Sequence, residues 1–236
     1  MSNKFWETEQ STYIVEDMWG NKYHCRYGKN DEWIAKEKTY FKLIHLSKTD
    51  SWLDAGGHIG TFSIKVAPHV QHTYLYEPYE PNYDLVLKNL LLNGVTNCTP
   101  HQVAIVGDND ATRTFGINTS KGSGAHGFER SHKTSVVVKC DNINRILNQY
   151  PDITCLKIDI EGAEMEVMEA LDCNRITQVV MEFHRLMFND WENVKLNVML
   201  GMLRKRFKTI DSDKNLAKLG NNWALILHAH NLEDSD

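Results

Sequence analysis

The chain has 236 residues, 42% hydrophobic and 24% charged, which is enough for one sizeable α/β domain and short for two. Its formal net charge is −5 with acids and bases mixed throughout, which excludes the clustered basic face of a nucleic-acid binder; the one basic run, Arg204-Lys205-Arg206, reads as a helix end. No apolar run approaches the roughly 18 residues of a membrane span, no leader-like core follows Lys4, and five scattered cysteines lack C-x-x-C spacing, so a cytoplasmic protein with reduced thiols and no membrane partner is expected.

Residues 1–48 read as an N-terminal extension and residues 50–230 as the core of a single domain. In the extension, Tyr13-Ile14-Val15 and Tyr23-His24-Cys25 flank a turn at Trp19-Gly20-Asn21 and predict a hairpin. A helix is expected next, with Ile34, Phe41 and Ile44 on one face. Ser51-Trp52-Leu53 then forms a short apolar strand running into a glycine-rich turn, and residues 60–67 read as a helix stopping near Pro68. A strand over His72–Tyr76 ends at Glu77-Pro78. Tyr83, Val86, Leu87, Leu90 and Leu91 recur with helical spacing, and Asn93-Gly94 supplies the stop. A third strand is expected around His101–Val106, then a loop or hairpin excursion over 107–134 and a strand at Val136-Val137-Val138. Cys155–Asp159 and Gln178–Glu182 read as strands. Helices are marked by Ala163, Val167, Ala170 and Leu171, and by Leu196, Met199, Leu200 and Leu203. Trp223–Leu227 closes the pattern. Strands alternating with helices of this length imply a largely parallel sheet covered on both faces.

In such a sheet, ligands bind beyond the carboxyl ends of the strands. The first strand–turn–helix offers Asp54, Gly56, Gly57, His58 and Gly60, where glycines let the backbone turn sharply and approach a ligand. Glu77 ends the second strand and is placed to accept the ribose hydroxyls of an adenosyl ligand. The turn is neither G-x-G-x-x-G, because His58 holds the second glycine's place, nor a P-loop, because no lysine follows Gly60. S-adenosyl-L-methionine (SAM) has no pyrophosphate and needs no phosphate cradle. Gly122-Ser123-Gly124-Ala125-His126-Gly127 does satisfy G-x-G-x-x-G, but it lacks the strand before and the helix after that the motif requires, and it reads as a loop over the site.

Four stretches resemble the FkbM family of SAM-dependent methyltransferases: Trp52–Gly60; Tyr76-Glu77-Pro78 with Leu87–Asn93; Val103–Val106; and Leu156-Lys157-Ile158-Asp159-Ile160-Glu161-Gly162-Ala163-Glu164. The last is the most specific. At the first turn Gly57 and His58 replace the alanine and asparagine usual in the family. The resemblance implies a class I methyltransferase fold, a Rossmann-like and mostly parallel sheet with helices on both faces and an antiparallel final strand. It also implies O-methylation of a hydroxyl on a sugar, a glycan or a small secondary metabolite.

Acids at the tips of the later strands are the catalytic candidates: Asp159 and Glu161, then Glu182 and His184. In one reading Asp159 or His184 is the general base and Glu182 orients its partner. In the other, Asp159, Glu182 and His184 hold one Mg²⁺ that binds the acceptor hydroxyl; the resemblance leaves this open, because some FkbM-like sugar methyltransferases are metal-dependent. Glu164 reads as a helix N-terminal charge and Lys157 as a solvated or charge-pairing residue. His126 and His132 are weaker candidates for substrate contact, and the remaining histidines read as surface or packing residues. Competing functions are an NAD-dependent oxidoreductase, against which the missing dinucleotide motif at the first turn argues, and a non-catalytic SAM-binding module.

Overall fold

A computed structural model describes residues 11–117, 127, 134–172, 174–184, 193–213 and 224–232. In chain order its elements begin with strands β1 (Thr12–Glu16) and β2 (Lys22–Arg26), helix α1 (Asp31–Lys36), β3 (Ser51–Ala55), α2 (Thr61–Val66) and β4 (His72–Tyr76). Then come α3 (Glu80–Leu92), β5 (Cys98–His101), β6 (Ala104–Val106), β7 (Thr112–Ile117), β8 (Thr134–Asn142) and α4 (Ile143–Gln149). The series ends with β9 (Ile153–Ile158), α5 (Glu164–Ala170), β10 (Gln178–Phe183), α6 (Val194–Arg204), β11 (Thr209–Ser212) and β12 (Leu225–His230).

The main sheet has the order β11-β12-β10-β9-β3-β4-β5. Its strands β10, β9, β3, β4 and β5 are mutually parallel, and β12 runs antiparallel to both β10 and β11. This is the Rossmann-like arrangement expected, antiparallel final strand included. Strand β3 is buried at all five positions because both its faces are covered. Leu53 and Ala55 join Leu156, Ile158, Met181 and Leu227 on one face; Trp52 meets Phe62, Cys155, Val180 and Ile226 on the other. No helix among the described residues is long and apolar enough to cross a membrane.

Four features depart from the sequence reading. The single helix expected over Ile34, Phe41 and Ile44 is instead the short α1 followed by a 3-10 turn at Tyr40–Lys42. The strand expected over His101–Val106 is two strands in different sheets: β5 edges the main sheet, whereas β6 pairs with β8 and, through it, β7 in a three-stranded sheet. Helix α4 and strand β11 had no clear periodic signal. Lastly, α3 buries Asn82, Leu85, Val86, Asn89 and Leu90, while Leu87 and Leu91 of the predicted stripe are exposed.

The rotation of α3 has a physical cause. Strand β2 is an edge, and its backbone groups need partners. Asn89 Oδ1 accepts from the His24 N–H at 2.7 Å and its Nδ2 donates to the Ile59 carbonyl at 2.9 Å. One turn on, Asn93 Oδ1 accepts from the Lys22 N–H at 2.8 Å and Nδ2 donates to the Lys22 carbonyl at 2.6 Å. The amides therefore face inward, and they dock the predicted N-terminal hairpin, paired Thr12–Glu16 with Lys22–Arg26, against the core.

Candidate active site

The turn after β3 is shaped by close backbone approach. Gly56 has φ +78°, and a Cβ there would stand 1.8 Å from the Asp159 carbonyl oxygen; a Cβ on Gly57 would stand 2.5 Å from Leu75. The N–H groups of Gly56 and Gly57 both donate to the Tyr76 carbonyl at 3.0 Å, tying the turn to the end of β4. Gly60 (φ +89°) precedes α2, and His58 itself is left-handed at φ +50°. Asn, the family's usual residue there, and His both tolerate that region better than most side chains.

Glu77 lies at the tip of β4 as expected, 5% exposed. Its Oε2 accepts from the His58 N–H at 2.9 Å, and its Oε1 accepts from the Tyr79 N–H at 2.9 Å and from Asn82 Nδ2 at 3.3 Å. Burial pushes its carboxyl up to about 7, and the three donors only partly offset that. Asp54 is placed differently from the glycines and Glu77. It is fully buried beneath the turn, accepts from Ser63 Oγ at 2.8 Å and pairs with Lys157 Nζ at 3.3 Å, so it braces the turn and does not line the cavity.

Strand register assembles the acids. Asp54 on β3 stands opposite Lys157 on β9, and Lys157 opposite Val180 on β10. Side chains alternate along a strand, so Asp54, Lys157, Asp159 and Glu182 share the face covered by α2 and the Tyr40 turn. Lys157 is 3% exposed, not solvated; its Nζ donates to the carbonyls of Gly56 at 2.6 Å and Ala55 at 3.2 Å and lies 3.5 Å from Asp159 Oδ2. Burial would lower its pKa, but the Asp159 and Asp54 carboxylates outweigh this and raise it.

The Tyr40 hydroxyl bridges the two strand tips, lying 3.1 Å from both Asp159 Oδ2 and Glu182 Oε2. His184 is 8% exposed, its Nδ1 2.7 Å from Glu164 Oε1, while its Nε2 faces Glu161 at 3.6 Å, Asp159 at 3.8 Å and Glu182 at 3.9 Å. Burial opposes charge on this ring, but the Glu164 and Glu161 carboxylates hold its pKa well above the ordinary histidine value. Burial also opposes ionisation of Asp159, and Lys157, His184 and the Tyr40 hydroxyl overcome it and keep that carboxyl low. At Glu182, burial, then the Asp159 charge, outweigh His184 and the Tyr40 hydroxyl and push the carboxyl up to about 7.

Two sequence readings change here. Glu164 does more than complement a helix end: it is fully buried, accepts from the Gly162 N–H at 2.9 Å and anchors His184. The metal-competent set is Asp159, Glu161 and His184, whose ligand atoms lie within 4.8 Å of one another, and Glu182 is outside it. These residues do not fit a Mg²⁺ holder. Mg²⁺ takes oxygen ligands in octahedral geometry, whereas here an imidazole ring stands among the carboxylates. Tyr40 carried no spacing signal, and neither did the buried Arg26–Asp31 pair, joined by contacts of 2.8 Å and 2.9 Å, against which His58 packs with its Nε2 3.6 Å from Asp31. His126, His132 and Gly122–His126 of the glycine-rich motif lie outside the described residues. Gly127 pairs with Gly116, and its Cα packs so closely on Glu161 that a Cβ would meet the Glu161 carbonyl oxygen at 2.2 Å.

The two ends open into one cavity of about 540 Å³, whose lining includes Gly56, Gly57, His58 and Glu77 as well as Tyr40, Asp159, Glu182 and His184. A sequence profile described as Methyltransferase FkbM domain matches residues 54–214. Methyltransferase 1 of Beauveria bassiana (strain ARSEF 2860) is 28% identical over 170 residues, covering 60% of this chain and 67% of that protein. The solved structure of the methyltransferase FkbM from Methylobacillus flagellatus KT superposes with a TM-score of 0.54 at 16% identity, over 82% of this chain and 47% of that one. TYW2 of M. jannaschii, solved in complex with AdoMet, superposes with a TM-score of 0.50 at 11% identity, over 94% of this chain and 86% of that one.

Proposed function

Because this chain belongs to the FkbM methyltransferase domain family, we propose that it transfers a methyl group from SAM to a hydroxyl of a sugar, a glycan or a small metabolite. The observation that carries this reading is the single cavity with an oriented buried carboxylate, Glu77, at one end and the Asp159–Glu182–His184 cluster at the other. SAM supplies an electrophilic methyl on a sulfonium, open to in-line displacement without a covalent enzyme intermediate.

The donor end fits that ligand on three counts. Gly56 and Gly57 leave the backbone bare where side chains would collide. Glu77 is held by chain donors with lone pairs left for ribose hydroxyls. His58 Nδ1 is a buried ring nitrogen at the cavity wall without a hydrogen-bond partner among the described residues. Charge points the same way: Glu37, Glu77, Asp159, Glu161, Glu182 and Asp213 line the cavity against Lys65, Lys157 and His184. An acidic cavity favours a cationic donor and disfavours the pyrophosphate of NAD.

At the acceptor end, Glu182 is the general base. Its pKa of about 7 matches a neutral working pH. Asp159, held low, is too weak a base, and His184, held protonated, has no lone pair to offer. They instead orient the acceptor, with the Tyr40 hydroxyl fixing the two carboxylates relative to each other. Alignment of reactants in such a site supplies much of the rate, with effective molarities on the order of 10⁵ M or more. The cysteines described as free, Cys25, Cys98, Cys140 and Cys155, accord with a reducing cytoplasm.

The test is incubation with methyl-labelled SAM and a panel of sugars and hydroxylated metabolites, alongside thermal shifts with S-adenosylhomocysteine and NAD. Label transferred to an oxygen, with stabilisation by S-adenosylhomocysteine alone, is expected. Stabilisation by NAD instead would overturn the reading, and tight S-adenosylhomocysteine binding without turnover on any acceptor would favour a non-catalytic binding module.

A further inference from the structure

The sheet face that carries Asp159 and Glu182 at one edge carries a second polar cluster at the other. Ile226, His228 and His230 occupy alternate positions of β12, so both imidazoles stand on the face of Ile226, a cavity-lining residue. His230 pairs with Gln178, and Ile226 with Glu182. At ~3.3 Å per residue the cluster lies on the order of 13 Å from the cavity edge. β11 sets Asp211 opposite His228, with its Oδ2 3.6 Å from His230 Nε2.

The two histidines are buried, 0% and 5% exposed, with rings stacked at 4.8 Å, and the His45 ring packs against both. Among the described residues, Nδ1 of each is buried without a hydrogen-bond partner. Buried polar atoms are rarely left unpaired, so two adjacent ones need an explanation.

Gln178 decides which nitrogen of His228 carries the proton. Its Oε1 accepts from the His45 N–H at 3.1 Å and its Nε2 donates to the His45 carbonyl at 2.7 Å, so the main chain sets the amide orientation. His228 Nε2, 3.2 Å from the same Oε1, must be the protonated nitrogen, which leaves Nδ1 with its lone pair. A neutral imidazole whose other nitrogen is held by a carbonyl is how proteins prepare a metal ligand.

We propose that Asp211, His228 and His230 bind one divalent ion of the zinc class, with Gln178 orienting His228 from behind. One ligand atom from each of the three lies within 4.8 Å of the others. Two imidazoles and a carboxylate suit Zn²⁺, with Co²⁺ as a spectroscopic substitute, and do not suit Mg²⁺ or Ca²⁺, which take oxygen. The ion would tie β11 to β12 and is independent of the methyl-transfer reading.

The full chain, stripped with a chelator, is titrated with Zn²⁺ by calorimetry and with Co²⁺ by visible absorption. One ion per chain, d–d absorption bands and a raised Tm are expected. Asp211→Asn and His230→Ala should each weaken binding by at least about tenfold, and Gln178→Leu by about ten- to a hundredfold. His184→Ala should leave it unchanged. Asp211 is exposed at the rim, so its variant tests the site without disturbing the fold, which circular dichroism checks. No saturable binding, equal binding by wild type and Asp211→Asn, or binding lost in His184→Ala but kept in His230→Ala would each overturn the assignment.

Discussion

The two ends of the cavity are built by different means. The glycine end is largely a backbone site made by one local turn: bare Cα atoms at Gly56 and Gly57, a left-handed His58, and N–H groups committed to Tyr76 and Glu77. The acid end is a side-chain site collected from three distant segments, with Tyr40, the run from Lys157 to Glu164 and the Glu182–His184 pair meeting beside the cavity. Lys157 joins the ends, donating to the Gly56 carbonyl while pairing with Asp159. A backbone site tolerates side-chain changes that keep its conformation, whereas a charge cluster depends on every partner.

Substitutions can break that contrast. Glu182→Gln should produce the largest effect, a fall in kcat of about 10²–10⁴-fold with S-adenosylhomocysteine affinity changed by less than about threefold. Steady-state rates and calorimetry measure the two; unchanged kcat would remove Glu182 from the role of base. In wild type, kcat/KM should fall as pH drops through about 7, where Glu182 takes up its proton. Gly56→Ala should act on both ends at once, because its Cβ would press on the Asp159 carbonyl. Left-handed strain and overpacking together predict a stability loss of about 3 kcal/mol and lost donor binding. A Tm within a degree or so of wild type would show that the turn can relax.

Glu77 gives a smaller, pH-dependent signal. Its folded pKa of about 7 lies above the ordinary 4.5, so between those values the folded chain holds a proton that the unfolded chain has released. Stability therefore falls as pH rises through that window, with a slope on the order of 1 kcal/mol per pH unit at most. Glu182 titrates with the same sign, so the difference between wild type and Glu77→Gln in denaturant melts isolates the Glu77 share. A difference that does not vary with pH would mean that Glu77 is ionised throughout. The smallest effect is expected for His58→Asn, which keeps the N–H to Glu77 and a residue tolerant of positive φ; donor affinity should stay within about threefold. A larger loss would show that an Asn amide cannot stand in for the His58 ring nitrogen at the cavity wall.

Sequence pattern located β4, β10 and α6 closely, because apolar periodicity reports burial directly. All four residues of the predicted α6 stripe are buried. The same reasoning located α3 but misjudged its buried face, where the need to pair an edge strand's backbone outweighed the burial of Leu87 and Leu91. It also merged β5 and β6, because a short apolar run carries no sign of which sheet it joins.

What the sequence determined by itself was the alternation of strands and helices, the glycine turn and the acid that ends the second strand. These are local consequences of backbone sterics and of side-chain periods of 3.6 and 2. Only the tertiary structure decided which acids meet. Register set Asp54 across from Lys157, the N-terminal extension delivered Tyr40 to Asp159 and Glu182, and Glu164 was buried against His184. Each of these depends on contacts between residues far apart in the chain, and the proton affinities that distinguish Glu182 from Asp159 and His184 arise only once burial and neighbouring charges are in place.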